Sequence, residues 1–173
     1  MLKEMLRFFQ RLQLRRPEAK FLFITKDAPT MILKKARKMG ISSERIIIQA
    51  VARDNVPLYL SLTDLAIFFI KPVFSKKASS PTKQGEIMGM GIPLICNAIG
   101  DTDKIVEAHK VGIILKSFSE NDIEQAINQI HQLQKIPKAQ IREGAFRHYD
   151  LKKGIQQYQE VYQQVLNTET VLI

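Results

Sequence analysis

Residues 79 to 97 read SSPTKQGEIMGMGIPLICN, in which positions 80 to 86 hold two hydroxyls (Ser80 and Thr82), one amine (Lys83) and one carboxylate (Glu86). Ser80 is a good N-cap and Pro81 is preorganised for the first helical position, so Thr82 and Lys83 fall in the first turn of a helix. Backbone N–H groups at a helix start have no partner inside the helix and carry the positive end of its dipole, which makes the start an anion site. The Thr82 hydroxyl and the Lys83 ammonium add a donor and a positive charge, so phosphate is the natural guest. Glu86 lies a turn further in, too deep to share that phosphate without repulsion. It suits sugar hydroxyls, because a carboxylate accepts two hydrogen bonds from a vicinal diol. Phosphate at Thr82 and Lys83 with a ribose at Glu86 describes a nucleoside diphosphate lying across a helix N-terminus. The competing reading is ordinary capping with a Lys83–Glu86 surface pair at i, i+3.

The elements that must position these residues are legible on either side. Five short apolar runs, FLFIT at 21–25, RIIIQAV at 45–51, LAIFFI at 65–70, PLIC at 93–96 and GIILK at 112–116, have the near-continuous hydrophobicity of strands covered on both faces. Helical patterns separate them: 31–39 stopped by Gly40, 57–63 entered through Asp54, Asn55 and Pro57, and 81–90 closed by Gly91 and Pro93. This alternation predicts an α/β fold, a doubly wound Rossmann-like parallel sheet of about five strands with ligands outside the carboxyl ends of the strands. After the last strand only helices follow. Ser119 caps one carrying Ile123, Ala126, Ile127, Ile130 and Leu133, and Asp150 caps a final one carrying Leu151, Ile155, Tyr158, Val161 and Val165. No Gly/Ser linker or repeat divides the chain, so residues 1–173 read as a single domain.

Composition narrows the partners. The net charge of +9 is concentrated at the front, where residues 1–40 hold eleven Lys and Arg against three Asp and Glu. Lys3, Arg7, Arg11 and Arg15 recur every four residues, opposite Leu2, Met5, Leu6, Phe9 and Leu12, which predicts an amphipathic helix with a basic stripe. That stripe is either a solvated outer face or a surface for anionic lipid or phosphate. Nucleic acid is not expected as a partner, because no stacking aromatics are interleaved with the charges. The single cysteine, Cys96, forms no intramolecular disulfide, and no Cys/His spacing suggests a metal. MLKEMLRFFQRL lacks the unbroken apolar core of a signal peptide, so a cytoplasmic protein is expected.

The remaining reactive residues read as structural. His109, His131 and His148 are scattered, Cys96 is a small buried hydrophobe, Met88 and Met90 pack a helix on the sheet, and Asp101 and Asp103 cap the helix that follows them.

The run SSPTKQGEIMGMGIPLICNAIGDTDKIVE, residues 79–107, resembles the donor-site region of the C-terminal domain of retaining glycosyltransferases of the glycogen-synthase-like group, glycosyltransferase family 4 (glycosyl transferases group 1), which have the two-domain GT-B fold. The likeness extends from about residue 3, through DNVPLYLSLTDLAIFFIK at 54–71, to DLKKGIQQYQEVYQQVL at 150–166, and PTKxGE followed by GxP is its specific part. It implies that Glu86 is the second acid of a Glu-x7-Glu motif and binds the ribose. The diphosphate would lie on Ser80, Thr82 and Lys83, and the loop around Val51 to Arg53 would border the base. It further implies transfer of a sugar from a nucleotide-diphosphate donor with retention at the anomeric carbon, with no cofactor or metal, and Lys83 as the local cation for the leaving diphosphate.

The departures from the family are equally specific. The first acid of the motif falls at Ala78, and no Asp or Glu occurs between Asp64 and Glu86. The strand that opens the family's domain is missing. By the doubly wound order it would lie centrally, between FLFIT and LAIFFI, so a gap, a rearranged sheet or a borrowed strand is expected, with the tail ETVLI at 169–173 a candidate substitute and a frayed terminus the simpler reading. The acceptor domain is absent too, which implies an inactive isolated chain that needs a separate N-terminal acceptor domain. Peripheral contact with an anionic membrane through the basic helix is a further expectation. The alternative is a non-catalytic nucleotide-binding or assembly subunit.

Overall fold

All five apolar runs form parallel strands in the computed structural model, which describes residues 1–78 and 80–169. In chain order the elements are α1 (Leu2–Arg15), β1 (Phe21–Ile24), α2 (Pro29–Lys38), β2 (Ile46–Gln49), α3 (Val56–Leu60), β3 (Ala66–Phe68), α4 (Thr82–Gly89), β4 (Leu94–Asn97), α5 (Thr102–His109), β5 (Gly112–Leu115), α6 (Glu120–Leu133), α7 (Lys138–Tyr149) and α8 (Leu151–Glu169). The strands make two sheets rather than one. β1 pairs with β2, Phe21 opposite Ile46, and β3, β4 and β5 form the other sheet, with Ala66 opposite Leu94 and Leu94 opposite Gly112. A divided sheet is thus observed where a gap, a rearranged sheet or a borrowed strand was expected. Residues 170–173 of the tail considered as its substitute lie outside the described residues.

α1 ties the two halves together. Its buried Leu6 and Phe9 enter the cluster of Phe23, Ile32, Ala36, Ile41 and Ile46 over the two-stranded sheet, while Phe8 enters that of Phe69, Ile95, Leu115 and Ile123 on the three-stranded one. Aromatic contacts mark both anchorages, Phe8 edge-on to Phe69 at 6.4 Å and Phe9 against Phe21 at 5.1 Å between centroids. The basic stripe is a partly solvated face that also contacts α6: Lys3 and Arg15 are exposed, Arg11 and Arg15 pair with Glu120 and Glu124 of α6, and Arg7 donates to the Phe118 carbonyl at 3.0 Å. A third cluster, on the other side of β3–β5, joins Ile87 and Met88 of α4, Ile105 and Val106 of α5, and Ile141 and Ala145 of α7 to Phe68, Leu94 and Cys96.

The helix ends follow the sequence signals in part. Ser119 Oγ accepts from the Asp122 N–H at 3.1 Å, as its cap position predicts, and the α6 residues Ile123, Ala126, Ile127, Ile130 and Leu133 are all buried. Gly91, at φ +72°, lets the chain turn left-handed after α4, so the Ile92 N–H reaches the Ile87 carbonyl at 3.2 Å. Residues 138–149, which the sequence left unassigned, form α7, packed chiefly on α4. Asp150 Oδ1 accepts from the Lys152 N–H at 2.8 Å at the start of α8, but the predicted apolar face of that helix, Leu151, Ile155, Tyr158, Val161 and Val165, is exposed.

The two ways in which α1 is held differ in strength. Truncation of a buried phenylalanine costs about 3–5 kcal/mol, whereas an exposed ion pair contributes under about 1 kcal/mol. Urea unfolding should therefore show Phe8→Ala losing several times as much stability as Arg15→Ala. Equal losses would place the strength of the junction in the ion pairs.

Candidate functional site

The start of α4 opens on the carboxyl side of β3. Pro81 has ψ of 114°, so the chain is still extended there, and the helix begins at Thr82 with Pro81 itself in the cap position. This corrects the capping role expected of Ser80, which lies one residue further out and makes no cap bond. Thr82 and Lys83 become the first two helical residues, and their N–H groups meet no acceptor among the described residues. The Gln84 N–H donates to the Pro81 carbonyl at 2.9 Å. Ser80, Thr82, Lys83 and Glu86 are all exposed, the last three within one helical turn of each other. No ion pair joins Lys83 to Glu86 among the described residues; the Lys83 ammonium lies instead 6.0 Å from the Phe68 ring centroid. The carboxylate and the amine are thus both uncommitted to each other.

Beneath this surface lies a buried polar layer that sequence reasoning missed. Gln84, fully buried, donates through Nε2 to the Thr102 carbonyl at 3.2 Å. Thr102 Oγ1 accepts from the Ile99 N–H and donates to the Asn97 carbonyl, each at 2.9 Å, so the hydroxyl closes the β4–α5 turn in place of the expected Asp101 cap, which makes no side-chain bond. Asn97 grips Ile70 by both backbone groups, accepting from its N–H at 2.8 Å and donating to its carbonyl at 2.9 Å. A side-chain amide here does what a neighbouring strand would do, and it fixes where the segment leading to α4 leaves the sheet. The faint sequence signal is a lone Asn and a lone Thr at the end of an apolar run.

Tyr149, the last residue of α7, backs the same turn. Its ring lies so close to Gly85 that a Cβ there would sit 2.5 Å from Tyr149 Cγ. Burial pushes the phenol up to about 12, against the opposing effect of the nearby Ser80 hydroxyl; among the described residues the phenolic oxygen is nonetheless buried without a partner in hydrogen-bond geometry, as is Gln84 Oε1. Burial likewise raises the Cys96 thiol to about 12, in keeping with a packing role.

Val51 and the exposed Arg53 stand after β2, on the other sheet, where Arg53 opens a short 3-10 turn before α3. No hydrogen bond or ion pair joins them to α4 among the described residues. The structure thus gathers Thr82, Lys83 and Glu86, with Ser80 beside them, and leaves Val51 and Arg53 on a separate loop. It also brings together two residues that the sequence left scattered: the Nε2 atoms of His109 and His148 are 3.0 Å apart. Concavities of about 390 Å³, beside Gln10 and Arg45, and about 290 Å³, beside Asp64 and Lys138, involve none of the predicted site residues. Among the described residues no helix is long and apolar enough to cross a membrane.

Comparisons with known proteins bear on this arrangement. The sequence model of the family "Glycosyl transferases group 1" matches residues 1–147. A search of curated proteins finds no match. Among solved structures the chain is similar to a Listeria monocytogenes protein described as a UDP-N-acetylglucosamine 2-epimerase, with a TM-score of 0.54 and 15% sequence identity, over 83% of this chain. It spans 34% of that chain, and the likeness is one of fold.

Two predictions follow from the packing around α4. Alanine is the better helix former by about 0.5–1 kcal/mol, yet Gly85→Ala should lower stability, since the added methyl meets the Tyr149 ring and overpacking costs about 1–3 kcal/mol. In a Tyr149→Gly background the same substitution should stabilise; a thermal-melt cycle reads the change of sign. The second concerns pH. Because the Cys96 and Tyr149 pKa values are raised in the folded state, their contribution is intact below the unfolded values near 9 and 10 and is lost as pH climbs toward about 12. Urea midpoints should fall on the alkaline side, and the native thiol should resist a disulfide reagent at about pH 8 until the chain unfolds.

Proposed function

Because the chain belongs to the glycosyl transferases of group 1, we propose that residues 1–173 are the donor-binding domain of a retaining glycosyltransferase. The observation that carries this is the start of α4, where among the described residues the Thr82 and Lys83 N–H groups and the Glu86 carboxylate meet no partner, one turn apart on the exposed face of the helix. In this reading Ser80, Thr82 and Lys83 hold the diphosphate and Glu86 accepts hydrogen bonds from the ribose. Val51 and Arg53 border the base from the other sheet. The donor sugar nucleotide is a substrate, and the proposal includes no cofactor or metal.

The chemistry asked of the chain is electrostatic. The bond from the anomeric carbon to the diphosphate breaks, the acceptor oxygen bonds to the same face of that carbon, and the acceptor proton leaves with the diphosphate. Negative charge grows on the leaving group beside the α4 dipole and the Lys83 ammonium, so both stabilise the transition state more than the ground state. The acceptor and the remaining contacts come from an N-terminal domain outside this chain, without which it is inactive. A cytoplasmic location with peripheral contact to anionic membrane completes the proposal. That contact uses the basic stripe of α1, whose Lys3 and Arg15 are exposed.

A second reading, a non-catalytic nucleotide-binding or assembly subunit, is favoured by Ala78, which stands where the family has its first acid.

Calorimetric titration with UDP, GDP and ADP tests the proposal, UDP first because the fold neighbour is described as acting on a UDP-sugar. One nucleotide should bind, and Glu86→Gln or Lys83→Ala should each weaken it about 10- to 100-fold, the loss of one charge-assisted contact. No binding to a cooperatively folded chain would overturn the donor-site reading; binding without turnover, after an acceptor domain is supplied, would favour the second reading.

A further inference from the structure

We propose that His109 and His148 form a two-histidine chelate for a divalent late first-row metal ion, a site that clasps the end of α5 to the last turn of α7. It does not rest on the donor-site reading. The two Nε2 atoms face each other at 3.0 Å across an exposed junction, with ring centroids 5.1 Å apart. Two facing imidazole nitrogens at that distance share one N–H···N bond, so one of them is already a bare lone pair. With metal–nitrogen bonds of about 2.0–2.1 Å, neighbouring nitrogens on a single ion stand about 2.9–3.4 Å apart. An ion can therefore replace the shared proton once both rings turn their lone pairs off the Nε2–Nε2 line toward a common point.

Packing places His109 at this junction, and the exposed His148 ring faces it from the last turn of α7. α5 ends on Lys110 in a left-handed conformation, φ +53°, and the His109 carbonyl accepts from Gln140 Nε2 at 2.9 Å, which ties this end of α5 to α7. Gly144 lets α7 approach, since a Cβ there would sit 3.0 Å from the His109 ring. Glu143, one turn before Arg147 on the same helix, is held by the Arg147 guanidinium at 2.8 Å. No group of three or more ligating side chains occurs among the described residues, so water fills the remaining positions and the site is open. Imidazole ligation favours Zn²⁺, Ni²⁺ and Cu²⁺ over Mg²⁺ and Ca²⁺.

The test is calorimetric titration of the untagged chain with ZnCl₂ and NiCl₂, with histidine ring NMR as a second readout. One ion per chain should bind, shifting the His109 and His148 ring signals and leaving His131 unmoved. His109→Asn and His148→Asn should each weaken binding on the order of 100-fold, because the chelate becomes a single ligand, while His131→Asn leaves it unchanged. Ring shifts in the wild-type chain keep the test decisive even where a variant is destabilised. Absence of saturable binding, or binding retained in both chelate variants, overturns the proposal.

Discussion

The structure depends on a single helix burying its two faces in different places. Among the described residues the two sheets share no backbone hydrogen bond, and α1 joins them, with Leu6 and Phe9 in one core and Phe8 in the other. Apolar burial is non-directional, so it can join elements that strand pairing leaves apart, and it is worth more here than the ion pairs along α6. The arginines of α1 add orientation. Arg11 and Arg15 meet Glu120 and Glu124 in turn, fixing the rotation of α1 against α6 and so which aromatic enters which core.

The candidate site is arranged on the same division of labour. Its surface, Thr82, Lys83 and Glu86, makes almost no contacts, while the layer beneath is bonded: Gln84 to Thr102, Thr102 to Asn97, Asn97 to Ile70. α7 supports it from behind through Tyr149 against Gly85. A helix start that is to meet a charged ligand must be held still by groups that do not themselves compete for it, and buried amides and a hydroxyl meet that requirement.

Much of this was legible in the sequence. The strands were readable because each is an apolar run between turn residues, whereas their division into two sheets was only one of several arrangements the sequence left open. Resemblance to the family supplied what periodicity could not, a reason to prefer Glu86 over any other acid. The cap of α4 was misread because Ser-Pro has two outcomes: proline fixes φ but not ψ, and ψ of 114° at Pro81 moves the helix start by one residue. Arg7, Arg11 and Arg15 looked like a free face because their partners are more than a hundred residues away. The apolar stripe of α8 predicted burial, and the helix forms with the stripe exposed. Asn97, Thr102 and the histidine pair were illegible for one reason: their roles depend on contacts that only the tertiary fold creates.

The Asn97 clasp on Ile70 has a consequence for how such a chain can change. Residues 71 to 78 follow Ile70, a point fixed independently of them, and the Gln84 layer fixes α4 beyond them just as independently. Insertions, deletions or a transplanted segment can be accepted between those anchors without disturbing the sheet or tilting α4. The stretch beside the proposed phosphate contacts is therefore free to diversify in length and chemistry over evolutionary time, while the scaffold that presents it stays constant.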